Sequence, residues 1–78
     1  MDIQELRKAI EGLRGEWRAV RIRRLVRKSE LLAAGKDAAG ARRDREVREL
    51  RRLQHRIAAR ILHLERRLNK KRAHETET

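Results

Sequence analysis

Several residue types that often reinforce small folds are missing from this sequence. It has no cysteine, so neither a disulfide nor a thiolate zinc site can supplement a small core. It has no proline, and Trp17 is the only aromatic residue. The longest apolar run, residues 31–34, is far shorter than the ~20 residues that a membrane-spanning helix needs. We therefore expect a soluble, cytoplasmic protein that is held together by packing alone.

Charged residues make up 45% of the sequence. The 78-residue chain carries 23 Lys and Arg against 12 Asp and Glu, giving a formal net charge of +11, and 18 of the basic residues are arginine. Ala, Leu, Arg, Glu and Lys are the common residue types, as they are in long helices and coiled coils. The composition therefore predicts a single all-α domain with a surface that attracts polyanions.

The first 34 residues show the pattern of one long amphipathic helix. Asp2 suits an N-cap, with Glu5 in the first turn. Apolar residues then recur at alternating intervals of three and four, which is the seam of a coiled-coil-like helix with Trp17 in the core. These residues are Ile3, Leu6, Ile10, Leu13, Trp17 and Val20.

The apolar seam of this first helix weakens after Val20. Arg24 and Arg27 occupy the next two seam positions, whereas Leu25 and Leu32 continue a stripe that is rotated slightly around the helix. Either the buried face drifts around the helix or its partner changes. We predict looser packing in this part of the chain.

A turn near residues 35–40 should separate the first helix from a second one. Gly35 stands where a left-handed helix cap is common, and Gly40 closes the connection. The second helix is predicted from about Ala41 to Asn69, again with a heptad seam. The seam residues are Val47, Leu50, Gln54, Ile57, Ile61, Leu64 and Leu68.

Two helices of matched length and a short connection predict an antiparallel two-helix hairpin with a coiled-coil-like seam. The hairpin should occupy residues 1–72, with helices at about 3–34 and 41–69. The polar residues 73–78 lack periodicity and are expected to be disordered. Gln54 is the one polar residue in the second seam, where it could fix register, but we expect it near the surface.

A row of basic residues follows the second helix at intervals of three or four residues, which places it on one helical face. The row consists of Arg45, Arg48, Arg52, Arg56, Arg60, His63 and Arg67. Like charges at this spacing repel by roughly 0.2–0.5 kcal/mol per pair. A polyanion would relieve that repulsion, because guanidinium groups bind phosphates bidentately and release condensed counterions. The alternative is a solvated face screened by nearby glutamates.

A second basic cluster lies on the first helix and favours the polyanion hypothesis. Its candidate binding residues are Arg18, Arg21, Arg24, Arg27 and Lys28. Basic side chains of this kind recognise phosphates and do not read bases. Trp17 offers no aromatic platform for stacking single-stranded bases. We therefore expect nucleic acid as the partner, with a structured RNA or a duplex fitting best and RNA against DNA left open.

Residue patterns for catalysis or metal binding are scarce. His55 and His63 lie two helical turns apart, without a cysteine or a paired carboxylate to complete a metal site. Ser29 is the only serine and has no evident base beside it. We expect no cofactor, no metal and no enzymatic activity.

Three short segments of the sequence resemble parts of one known family. They are Glu5-Leu6-Arg7, Ala33-Ala34-Gly35, and Arg51-Arg52 with Ile57-Ala58-Ala59-Arg60-Ile61. They look like the opening turn, the end of the first helix and the Arg-Arg-x-Ile-Ala-Arg-Ile motif of the large-subunit ribosomal protein L twenty-nine family. The resemblance implies a small antiparallel helical hairpin bound to ribosomal RNA within a ribonucleoprotein assembly.

A second resemblance is carried by Leu6-Arg7, Arg24, Lys36 and Arg45-Glu46. Their order is similar to that of the residues which surround a dicarboxylate substrate in the all-helical chorismate mutases. The connection here is short, however, and little chain remains for a third helix. This resemblance makes a mutase-like enzyme a remote alternative.

The heptad seams support one further hypothesis of a different class. The chain could form a coiled-coil homodimer that binds DNA or an acidic protein partner. A two-helix hairpin of this size buries little apolar surface, so a second copy or the ligand itself is expected to assist folding.

Overall fold

In a computed structural model, the chain is all-helical over the residues described, which are 1–77, with side chains to residue 75. Three helices follow one another, α1 over Ile3–Ala33, α2 over Ala38–Arg43 and α3 over Arg45–Glu77. The all-α prediction is confirmed. In this part of the chain no helix is both long enough and apolar enough to cross a membrane.

The start and the end of α1 follow the predicted signals. Asp2 is the N-cap residue, and its Oδ1 accepts a hydrogen bond of 2.8 Å from the backbone N–H of Glu5. At the other end Gly35 has a φ of 96°, a conformation that favours glycine. This lets the N–H of Lys36 turn back and donate to the carbonyl oxygen of Leu31 at 3.0 Å.

The connection after α1 contains a short helix that the sequence pattern did not predict. Asp37 caps α2 by accepting the N–H of Gly40 at 2.7 Å, and Asp44 then accepts the N–H of Val47 at 3.2 Å. Each aspartate starts its own helix, so the expected start of the second long helix near Ala41 is wrong. That helix begins at Arg45.

The last helix is also longer than predicted. It continues past Asn69 to Glu77, through most of the segment expected to be disordered, while residue 78 lies outside the described residues. No glycine or proline follows Asn69, and Lys70 to Ala73 are good helix formers. In addition, the Lys71 ammonium donates to the backbone carbonyl of Met1, which ties this part of α3 to the start of α1.

The core consists of three apolar clusters spaced along the molecule. Near one end the cluster is Leu6, Ile10 and Leu64; in the middle it is Val20, Leu50 and Ile57; near the other end it is Leu31, Ala41 and Val47. Residues early in α1 therefore pack on residues late in α3. The molecule is a rod of 61 × 16 × 14 Å, only two helices thick.

The packing decides two open details of the predicted seam. The buried face of α1 does not drift toward Leu25 and Leu32, which are exposed; its partner changes instead, since Leu31 packs with Ala41 of α2 as well as with Val47. Gln54 is not near the surface, because only 5% of it is exposed and its side chain meets α1. Trp17 is half-buried and packs against the middle cluster, as expected for a seam residue at the edge of a thin core.

Replacing Leu6 with alanine should lower the free energy of unfolding by about 2–5 kcal/mol, because its fully buried side chain leaves a cavity. The control is Leu62→Ala, since Leu62 is 49% exposed on α3. This control should change the free energy by less than about 0.5 kcal/mol. Urea unfolding followed by circular dichroism measures both, and equal losses would contradict the packing described here.

Candidate nucleic-acid interface

The arginine row, defined as Arg45, Arg48, Arg52, Arg56, Arg60 and Arg67, is exposed along residues 45–67 of α3. Arg45 forms an ion pair with Glu49 at 3.1 Å, one helical turn away. Among the described side chains, none lies within hydrogen-bond or ion-pair distance of the other five arginines. Most of the row is therefore available to an external anion.

The direction of the row follows from the packing of α3. At 100° per residue its mean direction lies about 140° from the seam that packs on α1. The seam residues Val47, Leu50, Ile57 and Leu64 are buried. Because this seam fixes the rotation of α3, the row forms a ridge on the outer side of the helix, with His63 exposed among the arginines.

Two arginines predicted for the same interface belong instead to the contact between helices. Arg24 donates from Nε to Oε1 of Gln54 at 2.7 Å. Arg27 donates from Nε and Nη2 to the two carboxylate oxygens of Asp44, both at 3.3 Å. The sequence pattern placed both arginines on the seam, and there they satisfy buried or half-buried polar groups that would otherwise be costly.

Arg27 is surrounded by carboxylates on three sides. Besides Asp44, its guanidinium lies 3.2 Å from Glu46 and 3.8 Å from Glu30. The hydrogen bond from Arg27 lowers the pKa of Asp44, and the N–H of Val47 lowers it further, although partial burial opposes both. The same hydrogen bond raises the pKa of Arg27. The contact is thus an ion pair, and Arg27 is largely neutralised for any outside ligand.

The other predicted residues of α1 lie on a different side from the arginine row. Arg18 lines an interhelical groove, defined as the space between residues 7–18 of α1 and 65–72 of α3. The Arg21 guanidinium lies over the Trp17 ring, 5.8 Å from its centroid, in a depression shared with Arg51. Lys28 is half-buried on α1. The structure therefore does not join the two predicted basic clusters into one surface.

The interhelical groove contains basic residues that the sequence analysis did not select. Arg7 and Arg14 line it, and Arg51 lines the depression beside it. Arg14 is engaged by Glu65 at 2.7 Å, an exposed pair that contributes little to stability. The signal that could have found them is the spacing of Arg7, Arg14 and Arg18, which share one helical face.

The residues that resemble a mutase site do not meet within one chain. Arg7 and Arg24 are both on α1, about 25 Å apart along its axis at 1.5 Å per residue. Lys36 follows the far end of α1, in the turn. They do not surround one small dicarboxylate. The described residues also contain no group of three or more His, Cys, Asp or Glu able to hold a metal ion.

The Asp44 contact makes the stability of the fold depend on pH. Because the folded-state pKa of Asp44 is below its ordinary value of 3.8, its contribution is present above about pH 4 and is lost as the pH falls through the lowered pKa. Asp44→Asn keeps a capping side chain but removes the charge. We expect this variant to be less stable than the wild type at neutral pH and to lose less stability between about pH 4 and pH 2.

The matched control is Asp37→Asn. Asp37 caps α2 in the same way, but among the described residues it forms no ion pair with α1. Thermal unfolding over this pH range measures both variants. Identical pH profiles for the two would show that the pairing of Asp44 with Arg27 contributes nothing beyond the cap.

No family model, no curated protein and no solved structure matches this chain. Its function is therefore inferred from its own residues and geometry.

Proposed function

We propose that this protein is a structural RNA-binding hairpin that contacts phosphates through the arginine row of α3. The observation that carries the proposal is that five of the six arginines are exposed and have no acidic partner among the described residues. From Arg48 to Arg67 they follow about 29 Å of helix axis. A surface of this length can neutralise several phosphates of one nucleic-acid segment.

The distribution of acids supports this reading of the arginine row. Arg27 and Arg14, which reach from α1 toward the other helices, each have a carboxylate partner there. Among the described residues, five of the six arginines of the row have none. The repulsion among neighbouring guanidinium groups then acts in the free protein and is relieved when phosphates bind. In the proposed complex, phosphates neutralise the arginines of the row in the way that Asp44 neutralises Arg27.

The packing of α3 on α1 also favours binding. The helices pack as an antiparallel hairpin with a coiled-coil-like seam, so the arginines project from a helix that is already ordered. A preorganised surface loses less conformational entropy on binding than a disordered basic tail does. This arrangement suits a shape-matched contact with the backbone of a folded RNA.

RNA of defined structure is a better candidate than a single strand. The one aromatic ring, Trp17, packs on the core and is covered on one side by Arg21, so no row of aromatic residues can stack successive bases. The resemblance of residues 51–61 to a ribosomal-protein family supports the same class of ligand. The protein would then work in the cytoplasm, as part of a ribonucleoprotein assembly.

The proposal predicts a steep salt dependence of RNA affinity. If the five arginines without an acidic partner each neutralise one phosphate, affinity for an RNA duplex should fall by roughly 500-fold between about 50 and 200 mM salt. Fluorescence anisotropy of a labelled duplex measures it. An affinity that hardly changes over this range would contradict phosphate binding by the row.

The location of the interface is tested by Arg52→Glu together with Arg56→Glu. Both residues are exposed in the middle of the arginine row. Losing two contacts and adding two repulsions should weaken binding at least tenfold and reduce the salt slope by about 2. The control is Lys8→Glu with Arg23→Glu, which removes the same charge from exposed positions of α1.

These two double variants separate a local contact from a general effect of charge. The control should lose only the small part of affinity that comes from long-range attraction. Equal losses in both would contradict an interface centred on the row. Circular dichroism and thermal unfolding confirm that both variants remain helical, since none of the four side chains is buried.

A further inference from the structure

The outward side of α1 carries an apolar surface that RNA binding does not use. We define this apolar face as Ile22, Leu25, Val26 and Leu32, with exposed fractions of 61%, 41%, 51% and 45%. The described residues contain only two other large exposed aliphatic side chains, Met1 and Leu62. Single exposed aliphatic residues are ordinary, but four within eleven residues of one helix form a contiguous patch of the kind that marks an interaction site.

The four side chains share one side of the helix. Their mean direction lies about 140° from the buried seam of α1, at 100° per residue. The helix is therefore apolar on two opposite sides, of which α3 covers only one. Ser29 and Ala33 lie between these residues on the same side and are small enough for another helix to approach closely.

The polar contacts of the seam keep the apolar face of α1 exposed to solvent. Burying Leu25 against α3 would require α1 to rotate by about 100°. That rotation would break the hydrogen bond from Arg24 to Gln54 and the ion pair of Arg27 with Asp44, leaving a buried amide unpaired. The fold thus places two arginines on the seam, where they have polar partners, and leaves Leu25 and Leu32 in solvent.

The surroundings of the apolar face are basic. Each of its four residues has a cation three or four positions away on the same helix, and such residues are neighbours on a helix surface. The pairs are Arg18 with Ile22, Arg21 with Leu25, Arg23 with Val26 and Lys28 with Leu32. The one nearby acid is Glu30, and Arg27 lies 3.8 Å from its carboxylate.

The basic residues around the apolar face indicate which kind of molecule binds it. A second copy would bring the same cations together, and both copies would carry a net charge of +11. A lipid surface fits less well, because membrane binding by an interfacial helix scales with the apolar area that it buries, and four partly exposed aliphatic side chains without an aromatic residue offer little of it. A partner with an apolar stripe flanked by acids fits both the aliphatic residues and the cations around them.

We infer that the apolar face of α1 is a docking surface for an acidic amphipathic helix of another protein. The partner helix would pack alongside α1, as the third helix of a small bundle, with its carboxylates next to the surrounding cations. The arginine row is on α3 and points away from α1. The docking surface is therefore independent of the RNA interface, and it stands whether or not the chain binds RNA.

The inference is tested with a synthetic helical peptide that has leucine at heptad a and d positions and glutamate on its flanks. The labelled peptide is titrated with the full-length protein, and binding is followed by fluorescence anisotropy. Ile22→Ser with Val26→Ser should weaken binding at least tenfold. These substitutions preserve the fold, because both residues are exposed and serine has a helix propensity similar to theirs.

Three controls identify what the peptide recognises. Leu62→Ser removes an exposed aliphatic residue of α3 and should leave affinity unchanged. A peptide with lysine in place of glutamate should not bind measurably. A glutamate-rich peptide with serine in place of leucine should bind at least tenfold more weakly than the leucine peptide, since charge alone gives little affinity for an exposed surface.

Several results would overturn the inference. If the serine-containing acidic peptide binds equally well, or if the double variant binds the leucine peptide like the wild type, the apolar face is not the site. If wild-type protein sediments as a dimer that the double variant abolishes, the occupant is a second copy. If binding to vesicles of phosphatidylglycerol needs Ile22 and Val26 while the peptide does not bind, the occupant is a lipid surface.

Discussion

The ion pair between Arg27 and Asp44 is the contact on which the arrangement of the helices depends. The Asp44 carboxylate caps α3 and binds α1 through both oxygens, and the backbone N–H of Asp44 closes the end of α2, so one residue contacts all three helices. One turn along α1, Arg24 binds Gln54 and extends this polar contact along the seam. Polar pairs in a seam specify register because a shifted pairing leaves them without partners. The apolar clusters supply attraction, whereas these pairs decide how α1 is rotated.

That rotation divides the basic residues into sets with different chemical environments. Arg24 and Arg27 are satisfied within the helix contact, and Arg14 is engaged by Glu65 at the edge of the groove. The arginine row of α3 has few such partners among the described residues. Five arginines without an acidic partner among the described residues lie along one outer face of α3, and that is the arrangement a polyanion can use.

The same rotation leaves aliphatic residues of α1 in solvent. In a rod two helices thick, each helix has one side buried and the opposite side open, and α1 is apolar on both. RNA would bind the outer side of α3, whereas a protein helix would pack on the outer side of α1. The two proposed ligands therefore differ in chemistry and do not compete for the same surface.

The sequence alone determined the helical class, the cap at Asp2, the turn at Gly35 and the exposed arginine row, because each depends on local periodicity or on the conformational preferences of single residues. Only the tertiary structure decided that Gln54 is buried and that Arg24 and Arg27 face inward. These outcomes depend on partners 17 and 30 residues away in the chain. A helical wheel gives the direction of a side chain, but the group that meets it is set by the packing of the other helix.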